Sequence, residues 1–210
     1  MTYSWRMKQP VLILAIMLTL LTSPVMAETW GYTAVGASTD SWTSQNALCY
    51  NFTAPADLGT LLSINFYTKL SSGTADMKGA IWEDNDLTLI PNSVTTAWTS
   101  DTNYAWEYGN FTAQPTITAG QNYCIGIISN DAASFYDKYD AGSTSFNVAG
   151  TASYASPGSM TSVVYRDRKV SIYIEYLPAA PAGGTNLIQI ILNHIGNMLG
   201  RVSLFLRGIP

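Results

Sequence analysis

Between residues 48 and 69 apolar and polar side chains alternate with a period of two. Leu48, Tyr50 and Phe52 share one side, and after the turn Pro55-Ala56-Asp57-Leu58-Gly59 so do Leu62, Ile64 and Phe66. Period two sends successive side chains to opposite faces of a sheet, so this stretch reads as two half-buried strands joined by a turn. Ser63, Asn65, Tyr67 and Lys69 make up the polar face of the second strand. The pattern returns at residues 77–82, 94–98, 104–112, 121–129 (with Tyr123, Ile125 and Ile127 on one side) and 170–177 (with Val170, Ile172, Ile174 and Tyr176 on one side). Residues 30–36 supply an earlier strand, and residues 87–90 return from a hairpin turn made by Glu83-Asp84-Asn85-Asp86. Eight or more short strands with no helical period between them predict an all-β fold: an antiparallel two-sheet β-sandwich of jelly-roll type. Residues 131–162 lose the alternation to Ser, Gly, Ala, Tyr and Asp and read as long loops and short edge strands, where binding usually resides.

The two ends carry different patterns. Residues 1–27 combine Arg6 and Lys8 with an apolar run over 11–21 and small residues near Ala27, the layout of a signal peptide, so export is expected. That run is too short to span a bilayer. The sandwich is expected over residues 28–178, followed by a Pro/Ala/Gly linker at 179–185 and an amphipathic helix at 186–207. In that helix an apolar stripe repeats at three and four from Leu187 to Leu206, while Gln189, Asn193, His194, Asn197 and Arg201 make it a poor membrane span. Three readings stand for it: a helix on a membrane surface, a self-associating helix, or one packed on its own sandwich.

Charge narrows the partners. The full chain carries 10 basic and 14 acidic residues, and loss of Arg6 and Lys8 with the signal peptide leaves 8 against 14, a net charge of −6. So acidic a chain is a poor nucleic-acid partner, because phosphate binding needs clustered cations. The one locally basic run, Arg166-Asp167-Arg168-Lys169, reads as a solvated hairpin edge.

Cys49 and Cys124 both follow the export signal and lie in strand-like runs, which leaves two readings, one disulfide or two buried thiols. Asn51-Phe52-Thr53 and Asn110-Phe111-Thr112 match the N-glycosylation acceptor, making Asn51 and Asn110 candidate sites. Asp84 and Asp86 are weak Ca²⁺ candidates, since the acidic turn lacks the spaced ligands of a known calcium loop and reads first as a hairpin turn. No cofactor is expected.

Several segments in order resemble secreted, non-catalytic jelly-roll modules of cell-surface proteins, which are similar to carbohydrate-binding modules. They are Tyr50-x-Phe52-Thr53-Ala54-Pro55, then Leu62-x-Ile64-x-Phe66-Tyr67, then Gly79-Ala80-Ile81-Trp82-x-Asp84-Asn85, and Ile117-x-Ala119-Gly120-x-x-Tyr123-Cys124-Ile125-Gly126-Ile127. The resemblance covers residues 47–129 and implies a cell-surface recognition module. Its expected partner is a polysaccharide or glycoprotein.

An enzyme is not expected. A nucleophile needs a base, and residues 28–177 contain no histidine. Glu83, Glu107, Asp137 and Glu175 offer carboxylates, but their spacing singles out no glycosidase pair. For binding, Tyr136, Asp137, Tyr139 and Asp140 mix rings with hydroxyl-bonding carboxylates in an expected loop, and Trp106 adds a ring suited to stacking on sugar. The alternation Tyr104, Trp106, Tyr108 reads first as a core-facing strand and second as a ligand surface. The alternative to recognition is a structural surface subunit that assembles, or sits on a membrane, through its C-terminal helix. A glycoside hydrolase stands third.

Overall fold

A computed structural model describes residues 26–42, 46–130, 135–141 and 147–180 of the chain. The core of the expected signal peptide and the expected C-terminal helix lie outside the described residues. The described residues are all-β and form two antiparallel sheets around a shared core, a β-sandwich. The first sheet holds β1 (Glu28–Gly31), β13 (Ile172–Leu177), β4 (Thr60–Leu70), β9 (Phe135–Ala141) and β12 (Arg168–Val170), with β2 (Ser38–Trp42) paired to β9 and β7 (Ala105–Asn110) paired to β4. The second runs in the order β11 (Thr161–Arg166), β10 (Asn147–Thr151), β3 (Ala47–Thr53), β8 (Asn122–Ser129), β5 (Ala75–Glu83) and β6 (Ala97–Ser100).

The alternation read from the sequence sets which side chains meet between the sheets. Ile64, Phe66 and Leu70 of β4, with Ile172, Ile174 and Tyr176 of β13, pack against Leu48 and Tyr50 of β3 and Tyr123, Ile125 and Ile127 of β8. Burying a side chain of this size contributes about 1.5–3 kcal/mol. At Gly79 the sheets leave no room for a side chain, since a Cβ there would lie 2.7 Å from the Ile64 Cβ.

The second sheet is apolar on its other face as well. Ala47, Cys49, Ala80, Trp82, Cys124 and Val148 form a separate buried cluster, closed by Leu87 and Met160. The Trp82 indole N–H donates to the Gly158 carbonyl at 3.0 Å, which ties the segment before β11 across this face. The two cysteines are bonded here, between the adjacent strands β3 and β8, with Cα atoms 5.3 Å apart.

Four expectations change. The first strand is shorter than residues 30–36, and the Ser/Thr-rich stretch after it supplies β2. Residues 87–90 make a single bridge, Trp82 to Leu89, and Leu87 has a positive φ that takes it out of extended backbone. Within 131–162, where long loops and short edge strands are expected, the two strands described are interior ones paired on more than one side: β9 pairs with β2, β4 and β12, and β10 with β3 and β11. Their alternation is hidden because Asp137 occupies an interior position and Ala149 and Gly150 are small. The basic run 166–169 joins β11 to β12, but Arg166 and Arg168 are half-buried rather than solvated, and both pair with Asp40 of β2.

Candidate functional site

The outer face of the first sheet carries a ribbon of aromatic rings. β4 sends Ile64, Phe66, Thr68 and Leu70 inward, which leaves Ser63, Asn65, Tyr67 and Lys69 outside. β7 pairs with it so that Trp106 stands beside Tyr67 and Tyr108 beside Asn65. On the other edge of β4, Tyr173 of β13 also pairs with Asn65, and Tyr136 of β9 pairs with Lys69. The rings then run without a break. Tyr173 meets Trp106 at 5.0 Å between centroids, Trp106 meets Tyr67 at 5.3 Å, and Tyr67 stacks on Tyr104 at 5.6 Å with planes 5° apart. Lys69 Nζ lies 4.8 Å from the Tyr104 centroid and 5.3 Å from that of Tyr136, joining the last ring to the ribbon.

Beneath the rings the face is polar and satisfied. Asn65 and Ser63 are buried; the Asn65 amide donates to the Ser63 hydroxyl at 2.9 Å, and that hydroxyl donates to Glu175 at 3.3 Å. The rings themselves are half-buried, and Tyr108 at the rim is 57% exposed. Such a surface is apolar on top and anchored from below, with Tyr67 and Tyr104 parallel and the Trp106 ring inclined 60° to Tyr67 and 63° to Tyr173. Burial raises the Tyr173 hydroxyl above the usual phenol range, with the Glu175 charge adding to it. The Tyr104 hydroxyl is raised by burial against the opposing influence of Thr39, although it makes no hydrogen bond of ordinary geometry.

The expected binding residues divide by strand parity. Tyr136, Asp140 and Trp106 lie on the outer face; Asp137 and Tyr139 point to the interior side of β9, because residues 135–141 are a strand and not a loop. Asp140 accepts from the Ala37 N–H at 2.9 Å and from the Tyr32 hydroxyl, contacts that hold its carboxyl below the usual range. It fastens the 32–37 segment to the sheet.

Asp137 is fully buried next to Asp40, its partner across the β2–β9 pair, and neither carboxyl oxygen has a hydrogen bond of ordinary geometry. Burial pushes it up to about 6, against the opposing influence of the Trp42 indole and the Arg166 charge. Asp40 receives both Arg166 and Arg168, while the Arg166 guanidinium covers Trp42 at 4.5 Å and that of Arg168 covers Tyr139 at 4.3 Å. This cluster closes the end of the core between β2, β9, β11 and β12. It is a structural clamp.

Of the other carboxylates considered for chemistry, Glu107 faces inward, accepts from the Trp98 indole at 3.0 Å and is raised chiefly by burial, and Glu83 ends β5. A polar cleft of about 470 Å³ opens beside Glu83, Asp84 and Asn85, facing Thr118, Gln121 and Tyr123. Asp84 accepts from the Asn51 side-chain amide of β3, and Asp86 accepts from the Thr88 N–H at 2.9 Å, so both carboxylates are engaged in holding the turn. Among the described residues no group of three or more His, Cys, Asp or Glu side chains is placed to hold a metal. Of the two glycosylation candidates, Asn110 is exposed at the end of β7 and Asn51 is half-buried in β3.

No protein-family model, curated protein or solved structure matches this chain. The ribbon is therefore read from its own geometry. The sequence singles out neither Tyr67, Tyr173 nor Lys69 for binding, and Tyr104 only in the second reading of its strand. Their signal lies in the outward set Ser63, Asn65, Tyr67, Lys69, which becomes a surface only when the register lays β7 and β9 beside it.

Proposed function

We propose that this chain is an exported, cell-surface β-sandwich of jelly-roll type that recognises carbohydrate, as polysaccharide or on a glycoprotein, without catalysis. Its binding surface is the outer face of the first sheet. The observation that carries this reading is the unbroken ribbon Tyr173, Trp106, Tyr67, Tyr104 on the solvent side of a rigid sheet. The C–H faces of sugar rings are apolar and stack on aromatic faces, while ammonium and hydroxyl groups at the margin bond the sugar hydroxyls. Packing of the core gives no reason for rings drawn from β13, β7, β4 and the segment before β7 to meet in series on the outer side of the sheet. The Cys49–Cys124 bond supports export, because disulfides persist in oxidising compartments.

A glycan array and polysaccharide pull-down with the exported chain test the reading. Retention on at least one polysaccharide is expected. A chain with intact near-UV circular dichroism that is retained on none would overturn it.

A further inference from the structure

We infer that the polysaccharide taken by this face is acidic, bearing uronate carboxylates or sulfate esters. The inference rests on the carbohydrate reading above and is carried by where the lysines lie. In a chain with more acidic than basic residues, Lys69, Lys78, Lys138 and Lys169 are the lysines among the described residues, and all but Lys78 stand on the outer face of the first sheet.

Lys69 and Lys138 share the Tyr104 ring, with ammonium groups 4.8 Å and 5.1 Å from its centroid. Lys69 pairs with Tyr136 across the β4–β9 ladder, so Lys138 sits diagonally from it on the same face. Diagonal neighbours are about 7–8 Å apart, close enough for like charges to repel. Among the described residues neither lysine has a carboxylate within 4.0 Å, whereas Arg166 and Arg168 both have Asp40. The acids of the same face are already engaged, Asp140 by Tyr32 and Ala37, and Glu175 by Ser63.

Ring faces stabilise an ammonium without using up its N–H donors. Two such donors held side by side, next to rings that fit a sugar, form a site with an unanswered positive charge. A neutral glycan would leave that charge unpaired; a carboxylate or sulfate on the stacked sugar would accept charge-assisted hydrogen bonds from both. The chain's overall negative charge opposes such a ligand at long range, so binding depends on these close contacts.

The exported chain should be run in affinity electrophoresis through polygalacturonate, dextran sulfate and a neutral β-glucan, at low and high salt, and floated with phosphatidylserine vesicles. Retardation by one or both acidic polymers, weakened at high salt, is expected. Lys69→Gln with Lys138→Gln should weaken it about tenfold or more, a change of about 1.4 kcal/mol. Lys69→Arg with Lys138→Arg should retain most of it, and Lys78→Gln should leave it unchanged. Polygalacturonate and dextran sulfate distinguish uronate from sulfate. Equal retardation by the neutral glucan, insensitive to salt and to the Gln pair, would overturn the acidic ligand and leave the carbohydrate reading standing. Failure with every polymer would overturn both. Lysine-dependent flotation with vesicles as strong as polymer binding would overturn the acidic polysaccharide in favour of a membrane surface.

Discussion

Burial raises Asp137 from 3.8 to about 6, so between those values the folded chain holds a proton that the unfolded chain has released. Stability therefore falls as pH rises from about 4 through about 6, by about 3 kcal/mol at 1.36 kcal/mol per unit. Below about 4 both states are protonated and the penalty vanishes. Asp137→Asn should accordingly stabilise the protein at pH near 7 and change it little near pH 4, measured by urea unfolding at both. Parallel stability curves for the two proteins would contradict this. At Gly126 an added Cβ would lie 2.0 Å from the Leu48 carbonyl and 2.5 Å from the Cys49 Cβ. Cys49 leans over Gly126, its ladder partner, to reach Cys124. Gly126→Ala should cost about 3 kcal/mol through overpacking, read as a lower thermal midpoint. Gly158→Ala, with nothing within 4 Å, should cost little. The disulfide closes a separation of 75 residues and restricts the unfolded chain by about 4 kcal/mol in the loop-entropy model.

At the scale of strands, the ladder that the alternation predicts is largely the ladder observed. Ile172, Ile174 and Tyr176 face the core together because burial of one face fixes phase as well as period; β8 is buried on both faces, and there the larger Tyr123, Ile125 and Ile127 take the side between the sheets. Phase becomes ambiguous where both faces carry large side chains. In β7 the rings Trp106 and Tyr108 were expected first in the core, yet Glu107 and Gly109 point inward, since a Cβ at Gly109 would strike Thr95 Oγ1 at 2.3 Å. There is no room on that side for a ring. β9 is hidden for a related reason: Asp137 sits at an interior position, beside Asp40 and the two arginines paired with it. Asp40 collects Arg168 from β12 of its own sheet and Arg166 from β11 of the other, and so pins β2 where the chain passes from one sheet to the other. Asp40→Ala leaves two half-buried guanidinium groups without their partner and should cost about 1–3 kcal/mol, more than an exposed pair would. Hydrogen exchange should accelerate at the β2 amides and remain slow in β8. Uniform acceleration across both sheets would contradict a local clamp.

Across the whole molecule the division of labour follows from which faces are covered. The core lies between the sheets; the far side of the second sheet is closed by Leu87, Met160 and the segment tied to Trp82; the far side of the first carries Tyr173, Trp106, Tyr67, Tyr104 and the lysines Lys69, Lys138 and Lys169. The sandwich class was legible because period two is a local property. The ribbon was not, since it draws on strands far apart in sequence and exists only through their register. The most direct test of its role is the association constant of the exported chain for its best polysaccharide, measured beside those of Trp106→Ala and Tyr165→Ala. Tyr165 is an exposed ring of β11 in the other sheet, at 61%. Loss of the Trp106 ring should weaken binding about tenfold or more, and loss of Tyr165 should leave it unchanged. Undiminished binding by a folded Trp106→Ala chain, with binding lost in Tyr165→Ala, would contradict the account.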